Sequence, residues 1–284
     1  MKATLKIEKK EPVCCLASEI TYMQKKQWCD ATFVPLRLSF MKPRQYYPYD
    51  PDPFQRYPLI VFLCGGAWQK MDRNVWMPEL TYFAKHGYAI ASVEYSTFPF
   101  TEHPERLMEV KTAIRYLREN AEELHIIPDQ IAVLGESAGA YLAALCALTG
   151  DDFRYKTSYF DTQSDAVQAA ITWYAPTLIS TMNNSKLRVR MDNFPDLPEL
   201  VNAKTPPFLM FHGKADHQVP YQQSELLYQS LQEQGIASDL YLIENADHGD
   251  GHFFQKEIKE YVLHFLNTKF KNKLDKKEAK LWHS

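Results

Sequence analysis

Three side chains spaced along the second half of this chain have the types needed for acyl transfer. Ser137 lies in Gly135-Glu136-Ser137-Ala138-Gly139, between an apolar run, Ile131 to Leu134, and a helix-forming run, Tyr141 to Leu148. Gly-x-Ser-x-Gly between a strand and a helix describes a nucleophile elbow, a sharp turn that lifts the hydroxyl out of a sheet. The helix that follows aims its N-terminus at the same point and favours developing negative charge there. The bland alternative is a serine that merely caps the helix.

A serine hydroxyl is a poor nucleophile until an imidazole takes its proton and a carboxylate orients that imidazole. Asp216 follows the apolar run Phe208 to Phe211, and His248 follows Leu240 to Ile243. If both runs are strands of the sheet that carries Ser137, all three residues fall on one rim, in the chain order Ser, Asp, His. Other residues compete. Asp247 and Glu244 are carboxylates on the histidine's own loop, where reaching its Nδ1 is awkward. His252 reads as the start of the last helix. His212 reads as a strand-end histidine satisfied by backbone, and His217 as an exposed loop residue. The remaining histidines, at 86, 103, 125, 264 and 283, read as structural.

The tetrahedral intermediate needs preorganised N–H donors. Ala138, just after the nucleophile, is one expected donor. Gly66 and Ala67, in Cys64-Gly65-Gly66-Ala67-Trp68 after the apolar run Leu59 to Leu63, are the others. Trp68, Glu136 and Trp173 are the expected substrate contacts, with core packing as the competing use of both tryptophans.

These residues need a scaffold, and the patterning describes one. Strands are expected at 59–63, 88–93, 131–134, 169–174, 208–211 and 240–243, and helices at 76–86, 104–124, 138–148, 220–234 and 252–270. Regular alternation of short apolar runs with helices means an α/β fold, a mostly parallel central sheet covered on both faces. Ligands then bind at the carboxyl ends of the strands. Upstream, residues 18–23 and 32–40 show patchy alternation, as in a hairpin or meander at a sheet edge. Residues 1–16 read as a loose lead-in and 271–284 as a solvated basic tail. The stretch 43–58 holds five prolines and four tyrosines and reads as an extended loop. The polar stretch 176–205 breaks the rhythm and is expected to form a short cap over the cleft.

The 284 residues fit one such domain. A net charge of −3 gives no basic face for nucleic acid, and no apolar run approaches membrane-spanning length. Met1 to Pro12 is charged, so no secretory signal is expected, and five cysteines without metal spacing read as reduced thiols of a cytoplasmic protein. No metal or cofactor is implied, and a homodimer is left open.

Taken together, the motifs resemble α/β-hydrolase carboxylesterases of the hormone-sensitive-lipase-like and acetyl/feruloyl (BD-FAE-type) group. The likeness runs from about Pro58 to Leu266 and is carried by Pro58 to Trp68, Val93-Glu94-Tyr95, Ile131 to Leu145, Ala175-Pro176-Thr177, Pro206 to Pro220 and Ala246 to Gly249. The departures are Cys64 for the family histidine, Ala67 for its third glycine and Ser96 for its arginine. The resemblance implies a serine esterase for short acyl esters, acetylated carbohydrate among them, with no cofactor. An arylformamidase-like amidase uses the same triad, and a non-catalytic ligand-binding protein is the reading from a different class.

Overall fold

The computed structural model describes residues 1–8, 11–26, 32–44, 54–182 and 193–270. The tail at 271–284, the middle of the insertion at 183–192 and part of the proline-rich stretch at 45–53 lie outside the described residues. In chain order the elements are β1 (Cys14–Lys26), β2 (Phe33–Pro43), β3 (Tyr57–Leu63), α1 (Met77–Lys85), β4 (Ala89–Val93), α2 (Glu105–Glu119) and α3 (Ala121–Leu124). There follow β5 (Ile126–Glu136), α4 (Ala138–Leu148), β6 (Ala169–Trp173), β7 (Phe208–Gly213), α5 (Gln222–Glu233), β8 (Ser238–Ile243) and α6 (Lys256–Lys269).

The eight strands form one sheet in the order β1-β2-β4-β3-β5-β6-β7-β8. From β4 to β8 all neighbours are parallel; β1 and β2 run antiparallel to their neighbours. The apolar runs in the centre are two-sided. Leu59, Val61 and Leu63 of β3 enter one core and Ile60 and Phe62 the other. Two apolar faces need a layer on each. Leu107, Val110, Ile114 and Leu117 of α2, together with α4, cover the first face. Met77, Leu80 and Phe83 of α1 and Val262 and Leu266 of α6 cover the second. Each fully buried side chain of this kind contributes about 1.5–3 kcal/mol.

The parallel registers align the strand ends. Leu63 pairs with Gly135, Glu136 with Trp173, Trp173 with Phe211 and Gly213 with Ile243. The loops that carry Gly66, Ser137, Asp216 and His248 therefore leave the sheet on one rim.

Several boundaries differ from the expected ones. β1 begins inside the expected lead-in and runs far past 18–23. Register shifts between Ala17 and Ile20 and between Thr21 and Met23 break its alternation, and Glu19 sits in the first with φ of 66°. The helix expected over 104–124 breaks at Asn120, which closes α2 and precedes α3. β5 starts at Ile126, where it pairs with Tyr57, and not at Ile131. The last helix starts at Lys256, because Gly251–Phe254 form a separate 3-10 turn capped by the Asp250 side chain.

The segment between α4 and β6 is held to α2 by buried charge. Lys111 Nζ and Arg115 Nη1 meet the two carboxylate oxygens of Asp165 at 2.5 and 2.8 Å, with all three side chains buried.

Candidate active site

β5 delivers Ser137 to the rim in an unusual backbone conformation, φ 52° and ψ −123°. Its N–H donates to Trp173 O at 3.0 Å, and its carbonyl accepts the first α4 bond, from Tyr141 N, at 3.1 Å. The side chain caps nothing in the helix. The turn depends on a close approach: a Cβ on Gly139 would lie 2.1 Å from Leu63 O, so α4 rests directly on the β3 backbone.

Ser137 Oγ lies 2.8 Å from His248 Nε2, and His248 Nδ1 lies 2.8 Å from Asp216 Oδ2. With the serine O–H donating to Nε2, Nδ1–H donates to the carboxylate. Asp216 Oδ1 accepts the N–H groups of Gln218 and Val219, both at 2.8 Å. Burial alone would raise the Asp216 pKa. Hydrogen bonds from His212, His248 and the Val219 N–H outweigh it and hold the carboxyl well below the usual carboxylate range. The structure thus brings together the serine, aspartate and histidine that their order along the chain picked out.

The competing residues have other partners. The Asp247 carboxylate accepts the N–H groups of His217 and His248 and pairs with His217 Nδ1 at 3.1 Å, tying the aspartate loop to the histidine loop. Glu244 pairs with Lys214, and His252 Nδ1 pairs with Asp250. His212 is more than the backbone-satisfied residue expected. It is fully buried, accepts from or donates to Ser224 Oγ at 2.7 Å through Nδ1, and points Nε2 at both Val219 O and Asp216 Oδ2. Its i, i+4 spacing to Asp216 across a strand end was the available signal.

The loop after β3 turns through three successive positive φ angles, 125° at Gly66, 52° at Ala67 and 56° at Trp68. Among the described residues, the N–H groups of Gly66, Ala67 and Ala138 have no partner within the protein. The loop is fixed by Tyr95 Oη donating to Cys64 O at 2.5 Å and by Phe98 N–H donating to Trp68 O at 2.8 Å.

The expected substrate contacts are used differently. Glu136 is buried, and its Oε1 accepts the Gly65 N–H at 2.5 Å. It braces the loop from within the protein. Trp68 and Trp173 are each 1 % exposed. Trp68 packs edge-on against Tyr141 and tilts against Phe194, in one core; Trp173 meets Phe254, in the other. A tryptophan at a strand end reads alike in sequence whether it lines a cleft or fills a core, and here the rings of Tyr141, Phe194 and Phe254 bury both side chains.

The described ends of the 176–205 insertion are pinned over α4. Tyr141 Oη donates to Pro195 O at 2.9 Å, Leu197 N–H to Thr177 O at 2.9 Å, and the Ser180 hydroxyl to the Asp196 carboxylate. Phe194 is seated among Trp68, Tyr141 and His103. Burial, then the Arg106 guanidinium, push the His103 imidazole down to about 4.

The strand order, the elbow after β5 and the Ser–His–Asp line define an α/β-hydrolase fold with the constellation of a serine hydrolase. The chain belongs to the BD-FAE family, whose model matches residues 46–196 and 197–231. It is 31 % identical over 215 residues to Esterase LipQ of Mycobacterium tuberculosis, a match that covers 69 % of this chain and 51 % of LipQ. The chain spans about half the length of the curated relatives it matches. Among solved structures, esterase 2 of Thermogutta terrifontis, phosphonylated by cyclosarin, superposes with a TM-score of 0.69 at 25 % identity, covering 89 % of this chain and 93 % of that one. An acetyl ester-xyloside bifunctional hydrolase from Caldicellulosiruptor lactoaceticus shares the fold, with a TM-score of 0.73 at 22 % identity over 89 % of this chain and 94 % of that one. No helix among the described residues is long and apolar enough to cross a membrane.

Proposed function

We propose that this chain is a serine carboxylesterase for short acyl esters, working through an acyl-enzyme without a cofactor. The observation that carries the reading is the unbroken line Ser137 Oγ to His248 Nε2 and His248 Nδ1 to Asp216 Oδ2, with both steps at 2.8 Å. His248 takes the Ser137 proton as Oγ attacks the ester carbonyl. Asp216 holds the ring and stabilises the imidazolium. The N–H groups of Gly66, Ala67 and Ala138 receive the oxyanion, each such donor contributing about 3 kcal/mol. The intermediate collapses, the imidazolium protonates the departing alkoxide, and water repeats the attack on the acyl-enzyme. The esterase names of LipQ and of the Thermogutta enzyme favour an ester over an amide.

A short acyl chain is favoured by the Ala67 methyl, which stands where the resembled family has glycine, and by Trp68, Tyr141 and Phe194 packed tightly beside the elbow. Acetylated carbohydrate is the substrate class we favour. The reading is tested by initial rates on p-nitrophenyl acetate, butyrate, octanoate and an acetylated xylo-oligosaccharide, beside a formanilide. Acetate and butyrate turned over ahead of octanoate, with the formanilide untouched, is the expected result. Turnover of the formanilide alone would establish the amidase, and no turnover of any would leave the ligand-binding reading.

A further inference from the structure

One buried carboxylate next to the nucleophile takes no part in the Ser–His–Asp line. Glu136 Oε1 gathers three donors: the Gly65 N–H at 2.5 Å, the Trp76 indole N–H at 3.3 Å and the Cys64 thiol at 3.5 Å. Burial, then the carboxylate itself, push the Cys64 thiol up to about 12, so it stays protonated and donates. The contact with the loop is tight: a Cβ on Gly65 would lie 2.6 Å from Glu136 Oε2.

Placement gives this contact its meaning. Glu136 is bonded to Ser137 and lies two residues before Ala138, while Gly65 directly precedes Gly66 and Ala67. A single carboxylate therefore joins the two segments that carry the unpartnered N–H groups of Gly66, Ala67 and Ala138. The loop segment has three consecutive residues at positive φ, a conformation that relaxes unless it is held from outside. An anion this close to a developing oxyanion would oppose it, and three donors on one oxygen disperse that charge. Cys64 takes the place of the histidine expected from the resembled family, and its thiol now turns to the same carboxylate.

We propose that Glu136 is a positioning residue that sets the separation between the two halves of the oxyanion hole, acting as an acceptor for Gly65 and its neighbours. The inference rests on the esterase reading of Ser137. Glu136 touches no reacting atom, and its effect falls on the transition state alone, so it changes kcat and leaves KM in place.

The test uses the full chain with E136Q, E136A and E136D, each with thermal melting and active-site titration to count folded enzyme. E136Q keeps an amide oxygen for the Gly65 N–H and is expected within about 5-fold of wild type in kcat. E136A and E136D withdraw the acceptor and are expected to lose about 30- to 100-fold in kcat with KM within 2-fold, the scale of one lost oxyanion donor. Binding of a trifluoromethyl ketone, which forms a hemiketal oxyanion on the serine, should weaken by the same factor as kcat/KM. If E136A melts below the assay temperature, E136D carries the comparison. Unchanged kcat in E136A or E136D, loss in E136Q equal to theirs, or unchanged ketone affinity would overturn the proposal while the esterase reading stands. A wild type inactive on every ester would overturn both.

Discussion

His212 Nε2 lies 3.2 Å from Asp216 Oδ2, the same oxygen that His248 Nδ1 meets at 2.8 Å. Two imidazoles thus share one carboxylate oxygen. His212 is locked on its far side by Ser224 Oγ at 2.7 Å, so it fixes where that oxygen stands. Replacing His212 by Phe leaves Val219 O and Ser224 Oγ buried without their partner. That costs about 1–3 kcal/mol of stability. With Asp216 less well held, kcat is expected to fall about 10-fold with KM unchanged, the worth of one charge-assisted hydrogen bond. Urea denaturation and steady-state kinetics check both parts, and an unchanged kcat would remove His212 from the account.

Much of this site is legible in the sequence. The elbow is local, since Gly135 to Gly139 sit between a β-branched run and a helix-forming run. The rim order follows from parallel strands, because each loop after an apolar run must emerge on one side. What was not legible depends on distant packing. The roles of Trp68 and Trp173 were set by Phe194 and Phe254, which are far from them in the chain. Glu136 found its partner 71 positions away, at Gly65. The edge strand β1 is blurred by its two register shifts, which break the two-residue period of a strand.

Acid sensitivity should enter through His103. Its folded value of about 4 lies below the ordinary 6.5, so above pH 6.5 it adds no penalty. Between pH 6.5 and 4 the unfolded chain binds a proton that the folded chain does not, and stability falls as pH falls. Thermal melts at pH 7 and pH 5 are expected to show a larger drop for wild type than for His103→Gln. Equal drops would assign the acid sensitivity elsewhere.

The Asp165 network should carry stability without touching chemistry. Lys111 and Arg115 both have fully buried side chains, and Asp165 is their shared counter-ion. Asp165→Ala leaves two buried cations uncompensated and is expected to cost about 3–5 kcal/mol in urea denaturation. The kcat of the folded fraction should be unchanged. A loss under 1 kcal/mol would mean that water reaches both cations.

Ala67 should narrow the acyl range. Its φ of 52° places a Cβ in the left-handed region, at a cost of about 1–2 kcal/mol. Ala67→Gly removes both the strain and the methyl. The ratio of octanoate to acetate turnover is expected to rise several-fold, read from the p-nitrophenyl series. An unchanged ratio would place the limit on chain length in other residues.

The central claim is that Ser137 is the nucleophile, and covalent labelling tests it most directly. The full chain is treated with a fluorophosphonate, and its intact mass and peptide map are measured beside Ser137→Ala. The account predicts a single adduct on the peptide that contains Ser137, loss of ester turnover in step with labelling, and neither label nor turnover in the variant. Ester turnover that survives in Ser137→Ala, or an adduct on a different serine, would contradict it.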